Sequence, residues 1–191
     1  MTDAPENERL SIAEFTALCA RAQWPLYAFL RGVVGEDELA RDLTQDTFLA
    51  MWRMVQRGAP PVDTVHPDAE RRRWLFQVAY HRAISALRHR HVLRWHSLDE
   101  LDDAGHATIG ALSFEDDLAE SQALRAALTS LAPQDAACLL LIVVQDFTAA
   151  ETGQILGATP AAVAKRFARA KQRLRAVYLA QNAPTIERSP Q

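Results

Sequence analysis

The sequence predicts an all-α protein built as two small helical domains. Three observations carry that reading. Apolar residues recur at three- and four-residue spacing through each long segment, and no stretch holds the alternation of a strand. Glycine is sparse, at seven of 191 residues. The charges are segregated although the net charge is only −3: seven arginines and no acid lie between Arg71 and His96, and six basic residues lie between Lys165 and Arg175. Between them, from Ser97 to Glu120, stand Asp99, Glu100, Asp102, Asp103, Glu115, Asp116, Asp117 and Glu120 with no Lys or Arg. Two cationic blocks separated by an anionic one imply two polyanion-binding surfaces. The domains are expected over residues 11–96 and 121–180, joined by a flexible acidic linker over 97–120.

Residues 1–10 are polar and read as a frayed start. A first helix is expected from about Ser11 to Arg31, with Ser11 as cap and Glu14 as its capping-box partner. Phe15, Leu18, Cys19, Ala22, Leu26, Phe29 and Leu30 form its apolar side. Pro25 should kink or split it, and Gly32 to Gly35 should end it. A second helix is expected over Asp37–Gln56, burying Leu39, Leu43, Ala50, Met51 and Met54 and exposing Asp42, Gln45, Asp46 and Arg53. Phe48 and Trp52 lie at the edge of its apolar stripe, where core packing and contact with a partner are both open. The loop from Gly58 to Asp68 holds three prolines. A third helix should follow, from about Ala69 to Val92. One side carries Leu75, Val78, Ala79, Ala83, Ala86 and Leu87. The other carries Arg73, Trp74, Gln77, His81, Ser85 and Arg88, a mixture of cation, aromatic ring and amide suited to phosphate, an unstacked base and base edges. A core position for Trp74 is equally open.

In the second domain Leu124 to Leu131 predict a short helix ending near Pro133. Ala136 to Gln145 is apolar nearly all round, as a buried central helix would be. Thr148 and Glu151 then spell a capping box, Ile155 and Leu156 give an apolar face, and Gly157 suits a left-handed end. Thr159 caps the next helix and Pro160 takes its first position, where a missing N–H costs nothing. Val163, Phe167, Ala170, Leu174 and Val177 repeat along its buried stripe, while Lys165, Arg166, Arg169 and Arg173 share another face. A helix docked on its neighbour through one side, with a cationic side left free, is the layout of a DNA-recognition helix. Residues after Ala180 read as a loose tail.

Several functions find no support. The longest apolar run, Ala136 to Val144, is too short to cross a bilayer, and the first ten residues lack a signal layout, so a cytoplasmic location is expected with no membrane insertion of its own. Cys19 and Cys138 fit core positions in a reducing compartment. The histidines are scattered, so no metal site is expected, and His89 and His91 point to different sides of a helix. No nucleophile stands with a base, no carboxylate pair has metal spacing, and no glycine loop cradles phosphate. Neither enzyme activity nor a cofactor is therefore expected.

Three blocks in order resemble a known family. ARDLTQDTFLAMWR (Ala40–Arg53), RWLFQVAYHRAISALRHR (Arg73–Arg90) and FTAAETGQILGATPAAVAKRFARAKQRLR (Phe147–Arg175) are similar to segments of bacterial RNA polymerase sigma factors of the extracytoplasmic-function group, the minimal two-domain members of the sigma-70 family. The likeness runs from about Phe15 to Tyr178. It implies a transcription initiation factor that carries core polymerase to promoters. The first block would grip core polymerase, built from its β and β′ subunits, through Asp42, Leu43, Gln45, Asp46, Phe48 and Trp52. The second would open and read the proximal (−10) element through Arg73, Trp74, Gln77, His81, Ser85 and Arg88, making 11–96 a sigma region 2. The third would be the region 4 helix-turn-helix over 121–180, contacting the distal (−35) element through Thr159, Ala161, Ala162, Lys165, Arg166, Arg169 and Arg173. The acidic linker would thread a polymerase channel, and an anti-sigma factor would hold the protein inactive.

The chain departs from the usual family wording at some positions. His81 and Ser85 stand where Asn and Asp are common, and the proline-rich loop is long. Gly153 replaces a usual Ala, which should weaken its helix by roughly 1 kcal/mol. Ala132 and Ala136 replace a common Pro and Arg. The alternative is a helix-turn-helix regulator with a helical effector or dimerisation domain, which accounts for the third block but leaves the first two without a task.

Overall fold

The computed structural model describes residues 12–57, 67–96 and 118–181, and these contain helices with no strand. The order is α1 (Ile12–Val34), α2 (Asp37–Gln56), α3 (Pro67–His96), α4 (Leu118–Thr129), α5 (Pro133–Val143), α6 (Ala149–Leu156) and α7 (Pro160–Gln181). The predicted Ser11 cap, most of the proline-rich loop, the greater part of the acidic linker and the C-terminal tail lie outside the described residues.

The first three helices form a bundle. Leu26, Phe29 and Leu30 of α1, Leu43 and Met51 of α2, and Leu75, Phe76 and Ala79 of α3 are buried together. Each fully buried large apolar side chain contributes roughly 1.5–3 kcal/mol relative to exposure. A polar corner fixes the α1–α2 turn. Arg31 pairs with Asp37, and the Tyr27 hydroxyl donates to the same carboxylate at 3.1 Å. Arg90, near the far end of α3, pairs with Glu36 in that turn. Along α2, the Thr44 and Thr47 hydroxyls donate to the Ala40 and Leu43 carbonyls at 2.7 Å, so these buried side chains are satisfied within their own helix.

α4 to α7 form the second bundle around α5, whose residues Ala136 to Leu141 are all buried. The two bundles do not stand apart. Ala137, Cys138, Leu140, Leu141, Phe147, Ile155, Leu156 and Val163 belong to the same buried cluster as the α1–α3 core. α1 packs on α5, and α3 packs on α6.

Several boundaries differ from expectation. Pro25 neither splits α1 nor ends it: the helix continues to Val34, and the Pro25 carbonyl accepts a hydrogen bond from Gln145 Nε2 at 3.4 Å. Gly32 is not the breaker. A Cβ there would lie 2.5 Å from Leu140 Cδ1, so its bareness serves the close approach of α5. Gly35, at φ +76, is the residue that stops the helix. α3 extends beyond both predicted ends. It buries Phe76 and Tyr80, which the one-sided stripe did not include, because it packs on both bundles. α4 begins at Leu118, so residues 118–120 are helix rather than linker, in keeping with a run of good helix formers free of Gly and Pro. α5 starts earlier than expected, with Pro133 in its first turn.

Gly153 has a structural reason. A Cβ at this position would meet the Ala158 carbonyl oxygen at 2.5 Å, in the turn of the helix pair. Gly153→Ala gains helix propensity but must displace backbone. The expected outcome is a loss of about 1–3 kcal/mol in chemical denaturation. An unchanged or raised midpoint would contradict the close approach.

Candidate nucleic-acid and partner interfaces

The helix-turn-helix is built by local chemistry. Glu151 N–H donates to Thr148 Oγ1 at 3.2 Å, while the Thr148 N–H and hydroxyl donate to Glu151 Oε2 at 2.8 and 2.7 Å. Gly157 ends α6 in the left-handed conformation, and Ala158 N–H returns to the Gly153 carbonyl at 2.8 Å. Ala162 N–H then donates to Thr159 Oγ1 at 3.2 Å, capping α7. Val163 and Ala170 are buried, Phe167 is half-buried, and the Cys138 thiol donates to the Val163 carbonyl at 3.7 Å. Burial pushes that thiol up to about 11, so it remains a neutral packing group.

Docked this way, α7 leaves Ala161, Ala162, Lys165, Arg169 and Arg173 exposed. Lys165, Arg169 and Arg173 follow one another at four-residue steps and form a cationic ridge. Thr159 is exposed but serves as the cap. Arg166 stands apart from the ridge. Its guanidinium reaches Gln134 Oε1 at 3.3 Å and Asp135 Oδ1 at 3.5 Å on α5.

The predicted face of α3 divides in two. His81, Ser85 and Arg88 are exposed on successive turns. Arg73, Trp74 and Gln77 are half-buried. Arg73 pairs with Glu70 at 3.4 Å, and Trp74 packs against the core cluster. Trp74 thus has an inward contact and retains partial exposure, the two roles that spacing left open.

On α2, Asp42 and Gln45 are exposed, and Asp46 is exposed and paired with Arg82 of α3 at 3.3 Å. Leu43 is buried, so it supports this face from beneath and does not stand on it. Phe48 packs partly inward, and Trp52 meets Phe15 with ring centroids 4.9 Å apart. With Leu49 and Ile12 they line an open apolar groove of about 630 Å³ between α1 and α2. An apolar groove beside two free polar residues and an ion pair suits a helical partner.

The assembly around Arg72 was not anticipated from the sequence. Arg72 donates to the Gln145 carbonyl at 2.5 Å and to Gln145 Oε1 at 3.2 Å, and its guanidinium sits 4.2 Å from the Phe147 ring centroid. Burial draws its pKa below the ordinary arginine value, with Glu151 and Asp146 acting in opposition. The signal available was slight: an arginine inside an arginine run, and an apolar Phe147 in a turn.

Residues 121–174 match the family model described as sigma-70, region 4. No curated protein matches the chain. Among solved structures it resembles the sigma factor RpoE, crystallised with the anti-sigma factor NepR from Bartonella quintana. The TM-score is 0.69 at 22% identity, over 87% of this chain and 97% of that one. It also resembles CnrH, solved in complex with the cytosolic domain of CnrY, with a TM-score of 0.62 at 22% identity over 89% of this chain and 90% of that one. At such identities these likenesses speak to fold, and the region 4 match to the helix-turn-helix.

Glu151 supplies a pH-dependent term. Hydrogen bonds from the Thr148 side chain and backbone hold its carboxyl below the ordinary glutamate value, with Arg73 and Arg72 adding smaller attractions. A carboxylate lowered in the folded state stabilises fully above the unfolded pKa of about 4.3, and that contribution disappears as pH falls through the folded value. Glu151→Gln keeps a capping-box partner but removes the charge, and should therefore cost about 0.3–1 kcal/mol near neutrality. The gap from the parent should close when denaturation is repeated below the lowered carboxylate pKa. A gap independent of pH would assign the loss to packing instead.

Proposed function

We propose, starting from a chain that carries a sigma-70 region 4 helix-turn-helix within the fold of the extracytoplasmic-function sigma factors, that this protein is a promoter-specificity factor. It binds core RNA polymerase and directs it to −35 and −10 elements. The observation that carries this reading is the exposed Lys165–Arg169–Arg173 ridge on a helix whose opposite side is locked to α5. Such a helix enters the major groove, exchanging condensed counterions for fixed cations. Ala161 and Ala162 at its start favour apolar contact with thymine methyls.

The second cationic element is α3. His81, Ser85 and Arg88 meet the separated strand of the −10 element, with Trp74 at the margin as a stacking platform. Extruding a base costs a few kcal/mol, which stacking and a shaped pocket must offset. The grip on polymerase is assigned to Asp42, Gln45, Asp46, Phe48 and Trp52, over the groove between α1 and α2, with Leu43 beneath. In this reading the domains are 11–96 and 121–180. The protein catalyses no reaction, needs no cofactor or metal, and works in the cytoplasm, where an anti-sigma factor controls it. None of the described helices is long and apolar enough to cross a membrane.

Purified chain mixed with sigma-free core polymerase should make the polymerase initiate at a defined subset of a promoter library. A regulator of the ordinary helix-turn-helix kind would bind DNA alone and initiate nothing, which would overturn the proposal. Two substitutions divide the labour. Arg169→Ala should weaken promoter binding by the holoenzyme, with the slope of log affinity against log salt falling by about one, and should leave core binding unchanged. Trp52→Ala should do the reverse. Equal loss of core binding by both variants would refute the division.

A further inference from the structure

A cavity of about 230 Å³ lies between α1, α4 and α5, away from the cationic ridge of α7 and from the α1–α2 groove. Its walls are mostly apolar. Leu128 and Leu140 close one side, and Trp24 and Tyr27 stand on the other with ring centroids 5.6 Å apart. Trp24 is 61% exposed, a large ring at the rim that the core does not use. Two bare glycines shape the space. A Cβ on Gly32 would meet Leu140 at 2.5 Å, and one on Gly35 would meet the Thr129 methyl at 3.2 Å.

The polar groups around the cavity are nearly all committed. The Arg31 guanidinium and the Tyr27 hydroxyl both engage Asp37. The Thr129 hydroxyl donates to the Ala126 carbonyl at 3.0 Å within its own helix. Arg125 is different. It lines the cavity, it is half-buried, and it makes no hydrogen bond or ion pair with another described residue. A guanidinium partly withdrawn from water and left without a partner favours an anion that can replace the lost hydration.

We propose that this cavity is a binding site for a small aromatic monocarboxylate, its ring held among Trp24, Leu128 and Leu140 and its carboxylate paired with Arg125. Three features select that class. The one uncommitted cation matches a single carboxylate, which takes a guanidinium through two parallel hydrogen bonds. A phosphate dianion would call on a second cation, and Arg31 is already neutralised by Asp37. The volume sets the size. An apolar cavity of about 150 Å³ holds benzene, and drug-sized sites begin at about 300 Å³, so this space suits one or two fused rings. Aromatic walls and a glycine edge favour a flat body over a branched one. The inference goes beyond the promoter-specificity reading and does not depend on it, because binding is measured without polymerase or DNA.

The test titrates 1-naphthoate into the full-length chain by calorimetry, with 1-naphthamide as a neutral probe of the same shape. Naphthoate should bind saturably at one site, at least about tenfold more tightly than the amide, since hydrogen bonds to a charged group are the stronger kind. Arg125→Gln should remove that preference and bring naphthoate down to the affinity of the amide, while the amide itself is unaffected. Trp24→Ala should weaken both probes together. Absence of saturable naphthoate binding up to millimolar concentration would overturn the site. So would equal affinity for the two probes, or naphthoate binding that survives both substitutions, which would place the probe elsewhere. A second measurement leaves Arg125 untouched. The Trp24 indole N–H resonance, assigned through Trp24→Phe, should move as naphthoate is added, and a resonance that stays fixed at saturation would also refute the proposal.

Discussion

The packing of Phe76 holds this structure together. It is buried near the middle of α3, against Phe29 of α1 on one side and Phe147 of the α5–α6 turn on the other. Edge-to-face rings add about 0.5–1.5 kcal/mol per pair beyond area burial. With the α1–α5 contact at Gly32 and Leu140, this ring joins the cores of the two bundles. α3 is consequently a shared wall, and its apolar surface extends around more of its circumference than a simple amphipathic helix would need. Of the six positions predicted for its polar face, His81, Ser85 and Arg88 are exposed, and Arg73, Trp74 and Gln77 are half-buried.

Charge is arranged around this core by the same logic. A guanidinium is costly to bury unless hydrogen bonds and counter-charges replace water. Arg72 meets that condition with a carbonyl, an amide oxygen and a ring face, all from the other bundle. Lys165, Arg169 and Arg173 meet no such partners and lie in solvent. Cations of equal formal charge thus stand in opposite settings: Arg72 ties the two bundles together, and the others lie open to solvent. The net charge of −3 conceals both.

What could be read from the sequence follows the range of the interaction concerned. The capping box of Thr148 and Glu151, the left-handed Gly157, the Thr159 cap and the stripe through Val163 and Ala170 depend on neighbours within a few residues, and all are found. The limits of α2 were legible for the same reason. The rest was hidden because it depends on pairs far apart in sequence. Gly32 looks like a breaker until Leu140 is beside it, and Gly153 looks like a weak helix residue until the Ala158 carbonyl is in view. Phe76 and Tyr80 fall off the predicted stripe because that stripe assumed one partner for α3, and there are two. The tie of Arg166 to Asp135 is likewise invisible to helical spacing, which placed it with Lys165 and Arg169.

The seam between the bundles is held by different forces from those within each bundle. Inside the bundles, long apolar stripes meet along whole helices, so partial separation exposes area at every step. At the seam the polar contacts of Arg72 and Gln145 are directional and short-ranged. Once displaced, each of these groups can be satisfied by water, which a buried leucine cannot. The phenylalanine stack and the Leu140–Gly32 contact oppose separation through buried area. The joint thus combines directional polar bonds with buried apolar area. The turn that carries Gln145 and Phe147 leads directly into Thr148 and the capping box of α6. The caps of α6 and α7 are made within the helix pair itself, so its internal geometry is set by neighbours in sequence rather than by the seam.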